Sequence, residues 1–291
     1  MSSEISAIIL AAGRGRRLGK SIQGPKILLD FDGESLLSRH ISALQTHGIT
    51  DITLTVGYRW QAIAQEVVRL GVTDRIRLIY NERYREGSLV SLWVQQDRLR
   101  SGIPILLMDG DVLYDDRMIA RLLAAPAENV LLVDRHIEPD DSEAMKICFR
   151  AGAIVDFRKE PEWAHDWHGE SVGFFRFSSG MSAALADRCA WHVERGETGL
   201  EYEEAIRDLI LASPRSFAAA DISDLPWTEI DFSADIVHAK RDILPRLIDR
   251  SRSPYESARR AFQADQAANN IGAPAYPPSF ARPLQLDRPR A

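Results

Sequence analysis

The stretch Ala7-Ile8-Ile9-Leu10-Ala11-Ala12-Gly13-Arg14-Gly15-Arg16-Arg17-Leu18, followed by Pro25-Lys26, decides the fold of this 291-residue chain. The apolar run at its start predicts a strand that is buried on both faces. Gly13 and Gly15 predict a tight turn in which backbone N–H groups can approach a phosphate. Basic residues surround this turn, and no carboxylate lies between Gly13 and Lys26: the cations are Arg14, Arg16, Arg17, Lys20 and Lys26. The stretch therefore predicts a phosphate-binding loop at a strand end.

Two common phosphate motifs do not fit this spacing. A Walker loop has four residues between its first glycine and Gly-Lys-Ser, but here five residues separate Gly13 from Gly19-Lys20-Ser21 and three separate Gly15 from it. A dinucleotide-binding turn needs a third glycine where Leu18 stands, and Pro25 interrupts the helix that should follow. An ordinary flexible basic turn remains the alternative to a phosphate site.

Composition limits the classes of protein that fit. With 45% hydrophobic residues the chain can bury a full core, and a net charge of −6 argues against nucleic acid as a partner. Cys148 and Cys189 form no metal or redox motif. The start lacks the basic region of a secretory leader, and no apolar segment approaches the roughly 20 residues of a membrane span. We expect a cytoplasmic protein without membrane insertion.

Apolar strand-like runs alternate with helical periods, which predicts an α/β fold with a Rossmann-like, doubly wound, mostly parallel sheet. Predicted strands are 27–31, 52–56, 76–80, 103–108 and 130–133, and predicted helices are 36–46, 61–70, 88–99 and 117–124. Ligands of such sheets gather beyond the carboxyl ends of the strands, where Gly13, Asn81 and Asp111 fall.

The second half of the chain predicts a smaller substrate lobe, over about residues 140–225. It begins with a β-hairpin, 144–149 and 154–157, and continues with a strand at 172–177, helices at 182–194 and 203–211, and a last helix at 234–248. From residue 249 to 291 the composition turns to arginine, serine and proline, which predicts a helix at 253–269 in a partly disordered Pro-rich tail. This tail is either a solvated appendage or a docking segment.

The pair Asp109-Gly110-Asp111 follows the apolar strand of residues 105–108. The second carboxylate therefore emerges at a strand end, and glycine leaves room beside it for a phosphate. Carboxylate oxygens are ligands that Mg²⁺ prefers, so we expect Asp111 to bind that ion.

The complete glycine-rich motif resembles the signature of the sugar-phosphate nucleotidyltransferase superfamily, whose fold is GT-A-like. The resemblance implies that a nucleoside triphosphate lies on the backbone of Leu10, Ala11, Ala12, Gly13 and Gly15. It implies that Arg17 holds the outgoing phosphates and that Lys26 neutralises charge at the α-phosphate. It also makes Asp231, in Glu229-Ile230-Asp231, the second ligand of a Mg²⁺ cofactor beside Asp111. Residues 1–248 would form the nucleotidyltransferase domain.

Four further segments are Tyr80-Asn81-Glu82, Ser91-Leu92-Trp93, Gly169-Glu170-Ser171-Val172-Gly173 and Trp227-Thr228-Glu229-Ile230-Asp231. They resemble segments of the cytidylyltransferases that activate phosphocholine, and inositol-phosphate cytidylyltransferases share parts of the same pattern. By this resemblance the nucleotide contacts include Asn81, Gly87, Ser88 and Asp109. The expected acceptor contacts are Lys146, Lys159, Glu170, Trp163 and Trp227. Tryptophans can enclose a quaternary ammonium, whereas a primary amine favours a carboxylate, so phosphocholine, phosphoethanolamine and an aminoalkylphosphonate all stay open. Arg158-Lys159-Glu160-Pro161 replaces the Glu-Lys-Pro of sugar-nucleotide enzymes, which argues against a hexose.

The resemblance implies a Mg²⁺-dependent cytidylyltransferase that joins CTP to a small phosphorylated alcohol and releases pyrophosphate. One alternative is a hexose-1-phosphate or inositol-1-phosphate nucleotidyltransferase. The other is a nucleotide-sensing module without turnover, although such a module has no need of Arg17, Lys26, Asp111 and Asp231 together. A homo-oligomer is compatible with all three.

Overall fold

The computed structural model describes residues 5–18, 24–137 and 142–247, together with the backbone of residues 286–287. The strands in this part of the chain are β1 (Ser6–Ala11), β2 (Asp30–Phe31), β3 (Glu34–Ser35), β4 (Ile52–Val56), β5 (Ile76–Tyr80), β6 (Ile105–Asp109), β7 (Val112–Tyr114), β8 (Val130–Asp134), β9 (Lys146–Arg150), β10 (Ala153–Arg158), β11 (Trp167–Phe177), β12 (Ala218–Asp221), β13 (Trp227–Glu229) and β14 (Leu286–Asp287). The helices are α1 (Leu36–Thr46), α2 (Trp60–Arg69), α3 (Ser88–Trp93), α4 (Gln96–Leu99), α5 (Arg117–Ala124), α6 (Ser179–Glu194), α7 (Tyr202–Ala212) and α8 (Ser233–His238).

One large sheet organises the molecule. Its main path runs β10-β9-β11-β6-β1-β4-β5-β14, and β8 and β12 extend it beside β11. Strands β6, β1, β4 and β5 are parallel neighbours, while β11 runs antiparallel to β6. The long β11 also pairs with β8 and β9, so it carries the chain from the hairpin lobe into the parallel sheet. These pairings confirm the predicted α/β class with a mostly parallel central sheet.

Helices cover both faces of the sheet because its central strands are apolar on both sides. Within β1, Ala7 and Ile9 face a core formed with α1, α2 and α5, whereas Ile8 and Leu10 face a second core formed with α3, α6 and α7. All four side chains are at most 9% exposed. The alternation of one strand between two helical layers is what a doubly wound sheet requires.

The sequence prediction was wrong at three elements. Residues 27–31 form a 3-10 turn, Lys26–Leu28, followed by the two-residue β2, because the chain turns back after Pro25 and places Lys26 beside Gly15. The predicted helix 88–99 breaks into α3 and α4 around the buried Gln95, whose side chain donates to the Thr55 hydroxyl at 2.9 Å.

The last predicted helix, 234–248, ends early as α8 and continues as a π-helical turn, Ala239–Ile243, and a 3-10 turn, Leu244–Arg246, in which Pro245 cannot extend a helix. The predicted helix 253–269 lies outside the described residues. No helix among the described residues is long and apolar enough to cross a membrane.

A buried ion pair anchors the hairpin lobe to α7. Asp156 of β10 is fully buried, and Arg207 Nε of α7 donates to its Oδ1 at 2.6 Å. Burial alone would raise the pKa of Asp156, but Arg207 and the backbone N–H groups of Glu162 and Phe157 lower it overall. The hairpin and the loop after it are therefore fixed against the helix that forms one wall of the cleft described below.

We expect Asp156→Ala to lower the free energy of unfolding by about 3 kcal/mol, because it removes the fully buried partner of Arg207 and leaves the exposed Glu162 and the more distant Glu204 beside the guanidinium. Urea unfolding measures this change. The matched control is Asp187→Ala, which removes an exposed partner of Arg100 and should leave the unfolding midpoint unchanged. Equal effects of the two substitutions would contradict the anchoring role of Asp156.

Candidate active site

The glycine-rich loop after β1 is held open by backbone hydrogen bonds. The Gly110 N–H donates to the Leu10 carbonyl at 3.0 Å, and the Tyr58 N–H donates to the Ala12 carbonyl at 3.1 Å. Gly15 has φ of +57°, and the Lys26 side chain lies only 3.1 Å from the place where a Cβ would stand. The loop lines a cavity of about 360 Å³ with Leu10, Ala11, Gly13, Arg14, Gly15, Arg16, Arg17 and Lys26.

A two-stranded ribbon brings a second acidic segment to the end of β6. Strand β13 pairs antiparallel with β7, with Glu229 opposite Val112, and the Ile230 N–H donates to the Asp111 carbonyl at 3.0 Å. This register places the carboxylate oxygens of Asp111, Glu229 and Asp231 within 4.8 Å of one another. Such a set of oxygen donors can hold a divalent cation.

Lys26 and Arg17 reach this acidic group from the loop. The Lys26 ammonium donates to Asp111 Oδ2 at 2.9 Å and also to Asp231 Oδ1. Burial alone would lower the pKa of Lys26, but the two carboxylates raise it above its ordinary value. Arg17 Nη1 lies 3.2 Å from Asp231 and 3.1 Å from Glu143. The structure thus brings together Arg17, Lys26, Asp111 and Asp231.

The cleft continues from the loop toward the hairpin lobe. Lys159 Nζ lies 3.1 Å from Glu201 and 3.7 Å from Glu143, so Lys159 stands at the far end. This cavity has a volume of about 760 Å³. Among the described residues its lining is strongly acidic, with Arg17 and Lys159 as the only lysine or arginine against the carboxylates of Glu86, Asp109, Asp111, Asp134, Glu143, Glu170, Glu201, Glu203, Glu229, Asp231 and Asp235.

Asp109 lies at the floor of the cleft in a closely packed setting. Its Oδ2 accepts a hydrogen bond from the Tyr202 hydroxyl at 2.7 Å. Gly173, at φ of +75°, lies directly against the carboxyl group, and a methyl group there would overlap Asp109 Oδ2. Desolvation, followed by the charges of Glu203 and Asp111, raises the pKa of Asp109 well above its usual range. Burial and Asp109 likewise raise the pKa of Tyr202, whose hydroxyl therefore stays protonated as a donor.

Three of the residues predicted to contact the nucleotide, Asn81, Gly87 and Ser88, occupy different environments. Ser88 lines the cleft, whereas Gly87 packs beneath residues 199–200. Asn81 is fully buried, and its amide donates to Ser91 Oγ and accepts from the Arg83 N–H. In this structure Asn81 shapes the loop that precedes α3 and does not reach the cleft surface, so its predicted direct contact with the nucleotide needs correction.

The residues predicted to contact the acceptor also lie in different environments. Lys159, Glu170 and Trp227 line the cleft, and Trp227 Nε1 donates to Asp134 Oδ2 at 2.7 Å. Lys146 was predicted to contact the acceptor, but it is 8% exposed and its ammonium donates to the Lys159 carbonyl at 3.0 Å, so it supports that loop from beneath. Trp163 was predicted to enclose the acceptor, but it is 52% exposed and outside the cleft lining.

Sequence reasoning missed several cleft carboxylates. Glu229 had a visible signal, because it stands two residues before Asp231 on a short strand and so points to the same side. Glu201 and Glu203, at the start of α7, had no such signal in the sequence, since only the fold brings them to the cleft. Burial, together with Glu201, raises the pKa of Glu203 to about 8. A positively charged group beside Glu203 would favour the ionised form of its carboxyl group.

Comparison with known proteins agrees with this geometry. Residues 7–155 match the family model described as the MobA-like NTP transferase domain. A CMP-5'-(3-aminopropyl)phosphonate synthase of Streptomyces rubellomurinus is 25% identical over 246 residues, which cover 79% of this chain and 37% of that protein. A CTP:phosphoglutamine cytidylyltransferase of Campylobacter jejuni is 24% identical over 254 residues, which cover 80% of this chain and 98% of that protein.

Solved structures share the fold. The inositol-1-phosphate CTP transferase from T. maritima aligns with a TM-score of 0.67 at 21% identity, over 83% of this chain and 95% of that chain. The CTP:phosphocholine cytidylyltransferase from Streptococcus pneumoniae aligns with a TM-score of 0.64 at 19% identity, over 81% of this chain and 98% of that chain. The fold is therefore GT-A-like, as the sequence predicted.

Gly173→Ala should destabilise the protein more than its backbone conformation alone explains. Gly102 is the matched control, because it has a similar φ of +79° but open space around it. We expect Gly102→Ala to cost roughly 1 to 2 kcal/mol from backbone strain, and Gly173→Ala about 1 to 3 kcal/mol more from the overlap with Asp109. Urea unfolding of both variants measures the difference. Equal losses would show that Asp109 is not packed against Gly173.

Proposed function

We propose that this chain, which belongs to the MobA-like NTP transferase domain family and is therefore a nucleotidyltransferase, transfers CMP from CTP to a small phosphorylated or phosphonylated acceptor that carries an amino group. The observation that carries this proposal is the two-ended cleft. One end has the cationic loop beside three carboxylates, and the other has Lys159 among carboxylates. The relatives named above support CTP as the nucleotide.

We propose Mg²⁺ as the cofactor, held by Asp111, Glu229 and Asp231. Their mutual proximity and oxygen donors fit this ion. When bound, Mg²⁺ neutralises and orients the nucleotide phosphates. Asp235 supports the site from behind, because its carboxylate accepts the N–H groups of Asp231 and Phe232 at 2.8 and 2.6 Å.

The transfer needs no covalent enzyme intermediate. An oxygen of the acceptor's phosphate or phosphonate, already anionic at neutral pH, attacks the α-phosphorus of CTP. The bond from that phosphorus to the oxygen bridging to the β-phosphate breaks, and pyrophosphate leaves. Lys26 stabilises charge at the α-phosphate, Arg17 holds the departing phosphates, and Lys159 holds the attacking group. Catalysis then consists of positioning and charge neutralisation.

The acidic end of the cleft supports an ammonium group on the acceptor. Among the described residues, Trp227 lines the cleft but Trp163 and Trp167 do not, so one tryptophan stands where a quaternary ammonium needs an aromatic enclosure. Trp163 lies outside the cleft, and Trp167 is covered on its two faces by Phe149, with ring centroids 4.0 Å apart, and by Arg135 at 4.4 Å. Carboxylates accept N–H donors directly, so we propose an acceptor with a primary ammonium, such as an aminoalkyl phosphate or phosphonate.

Neither alternative fits the cleft as well. The hydroxyl groups of a hexose or inositol would leave Glu203 and its neighbours without a compensating cation. A module that only senses nucleotides gains nothing from Lys159 facing the loop across the cleft.

A pyrophosphate-release assay tests the proposal. Purified protein with Mg²⁺ receives CTP, UTP, dTTP, GTP or ATP, each with 3-aminopropylphosphonate, phosphoethanolamine, phosphocholine, inositol 1-phosphate or glucose 1-phosphate. We expect the highest kcat/KM with CTP and a primary amine. Glu203→Gln should lower kcat/KM for the amine roughly tenfold, as expected for loss of one charge-assisted hydrogen bond, and should not affect propylphosphonate, the matched acceptor without nitrogen. A preference for glucose 1-phosphate, inositol 1-phosphate or phosphocholine would contradict the acceptor assignment.

Asp231→Asn should raise the Mg²⁺ concentration for half-maximal rate by about tenfold or more, because it removes one anionic ligand of a shared ion. The rate is measured against Mg²⁺ at saturating CTP and acceptor. Asp224→Asn, which changes an exposed carboxylate paired with Arg121 away from the cleft, is the control and should not change the Mg²⁺ dependence. An unchanged Mg²⁺ requirement in Asp231→Asn would rule out the proposed ligand set.

A further inference from the structure

The Tyr202 side chain is buried between the cleft floor and the sheet. It is 2% exposed, and its ring lies edge-on to Phe175, with centroids 6.0 Å apart at 89°. Its hydroxyl donates to Asp109 Oδ2 at 2.7 Å. The hydroxyl is thus committed to a protein carboxylate, and the packed ring keeps it there.

Asp109 connects this hydroxyl to the phosphate end of the cleft. It is the last residue of β6, two positions before Asp111, and Gly173 confines its carboxyl group. The intervening Gly110 N–H donates to the Leu10 carbonyl, where the glycine-rich loop begins. A shift of the Asp109 side chain would therefore be passed on to Asp111 and to the loop.

The backbone of Tyr202 connects to the other side of the cleft. Its N–H donates to Ser88 Oγ at 2.9 Å. Two further hydrogen bonds join the same segments, from the Gly87 N–H to the Thr198 carbonyl at 2.8 Å and from the Leu89 N–H to the Leu200 carbonyl at 3.1 Å. A methyl group at Gly87 would overlap the Leu200 carbonyl, so the two segments are in close contact.

Glu201, the residue before Tyr202, extends the connection to the acceptor end, since its Oε1 lies 3.1 Å from Lys159 Nζ. We infer that Tyr202 is a positioning residue that holds Asp111, Ser88 and Lys159 in one fixed arrangement, so that the two substrates meet in line. It is not a catalytic residue, because its hydroxyl serves Asp109. The inference rests on the proposed ligand and substrate roles of those three residues.

Tyr202→Phe removes the hydroxyl and keeps the ring. We expect kcat to fall about tenfold, as for the loss of one hydrogen bond to a carboxyl group, with KM for CTP and for the acceptor changed less than threefold. Binding of Mn²⁺ in the presence of CTP, followed by electron paramagnetic resonance, should weaken roughly three- to tenfold, because Asp111 is no longer held through Asp109. Tyr114→Phe is the matched control, since it removes the hydroxyl of another buried tyrosine that does not line the cleft.

A double-mutant cycle separates positioning from general destabilisation. If the hydroxyl acts through Asp109, Tyr202→Phe should cost little more in kcat when Asp109 is already alanine. Additive losses, or a Tyr202→Phe variant with unchanged kcat and Mn²⁺ binding, would overturn the inference. So would a fall in activity that matches the fraction of unfolded protein or that Tyr114→Phe reproduces. The Mn²⁺ measurement remains decisive even if the wild type proves to use another acceptor, which would contradict only the proposed function.

Discussion

The ammonium group of Lys26 lies between Asp111 and Asp231, and the architecture of the cleft depends on this interaction. Two carboxylates this close repel each other, and a third, Glu229, lies within the same 4.8 Å. At such separations the repulsion between unit charges reaches about 4 kcal/mol near a protein surface, so the group needs a cation. The 3-10 turn after Pro25 places Lys26 beside these carboxylates, and the ribbon of β7 and β13 places Glu229 and Asp231 beside Asp111.

From this point a chain of alternating charges crosses the cleft. Asp231 contacts Arg17, Arg17 contacts Glu143, and Glu143 lies near Lys159, which pairs with Glu201. Each cation in the chain is thus paired with carboxylates of the protein. In our proposal the phosphates of the two substrates replace the protein carboxylates as partners of these cations. A metal ion and the acceptor's ammonium group would then be the partners of the carboxylates. The same exchange brings two anionic molecules into contact without net repulsion.

Much of this arrangement could be predicted from local sequence. The β1 motif, the Asp109-Gly110-Asp111 turn and the apolar periods define strands and helices that the structure confirms, because buried parallel strands have a simple signature. Helix α7 was predicted, but its place at the wall of the cleft could not be, since Glu201, Tyr202 and Glu203 reach the cleft only through tertiary packing. The prediction for Trp163 was wrong for the same reason, since the sequence does not show that its side chain lies exposed outside the cleft. Asn81 and Lys146 have polar partners inside the protein, which no spacing rule shows.

We propose that Lys26 leaves Asp111 and Asp231 when a nucleotide and a metal ion bind. A crystal structure with Mn²⁺ and a non-hydrolysable CTP analogue, with the ion located by its anomalous scattering, tests this most directly. We expect one ion bound by Asp111, Glu229 and Asp231, with Lys26 turned from these carboxylates to the α-phosphate. An ion bound elsewhere, or a nucleotide bound while Lys26 still contacts both carboxylates, would contradict it.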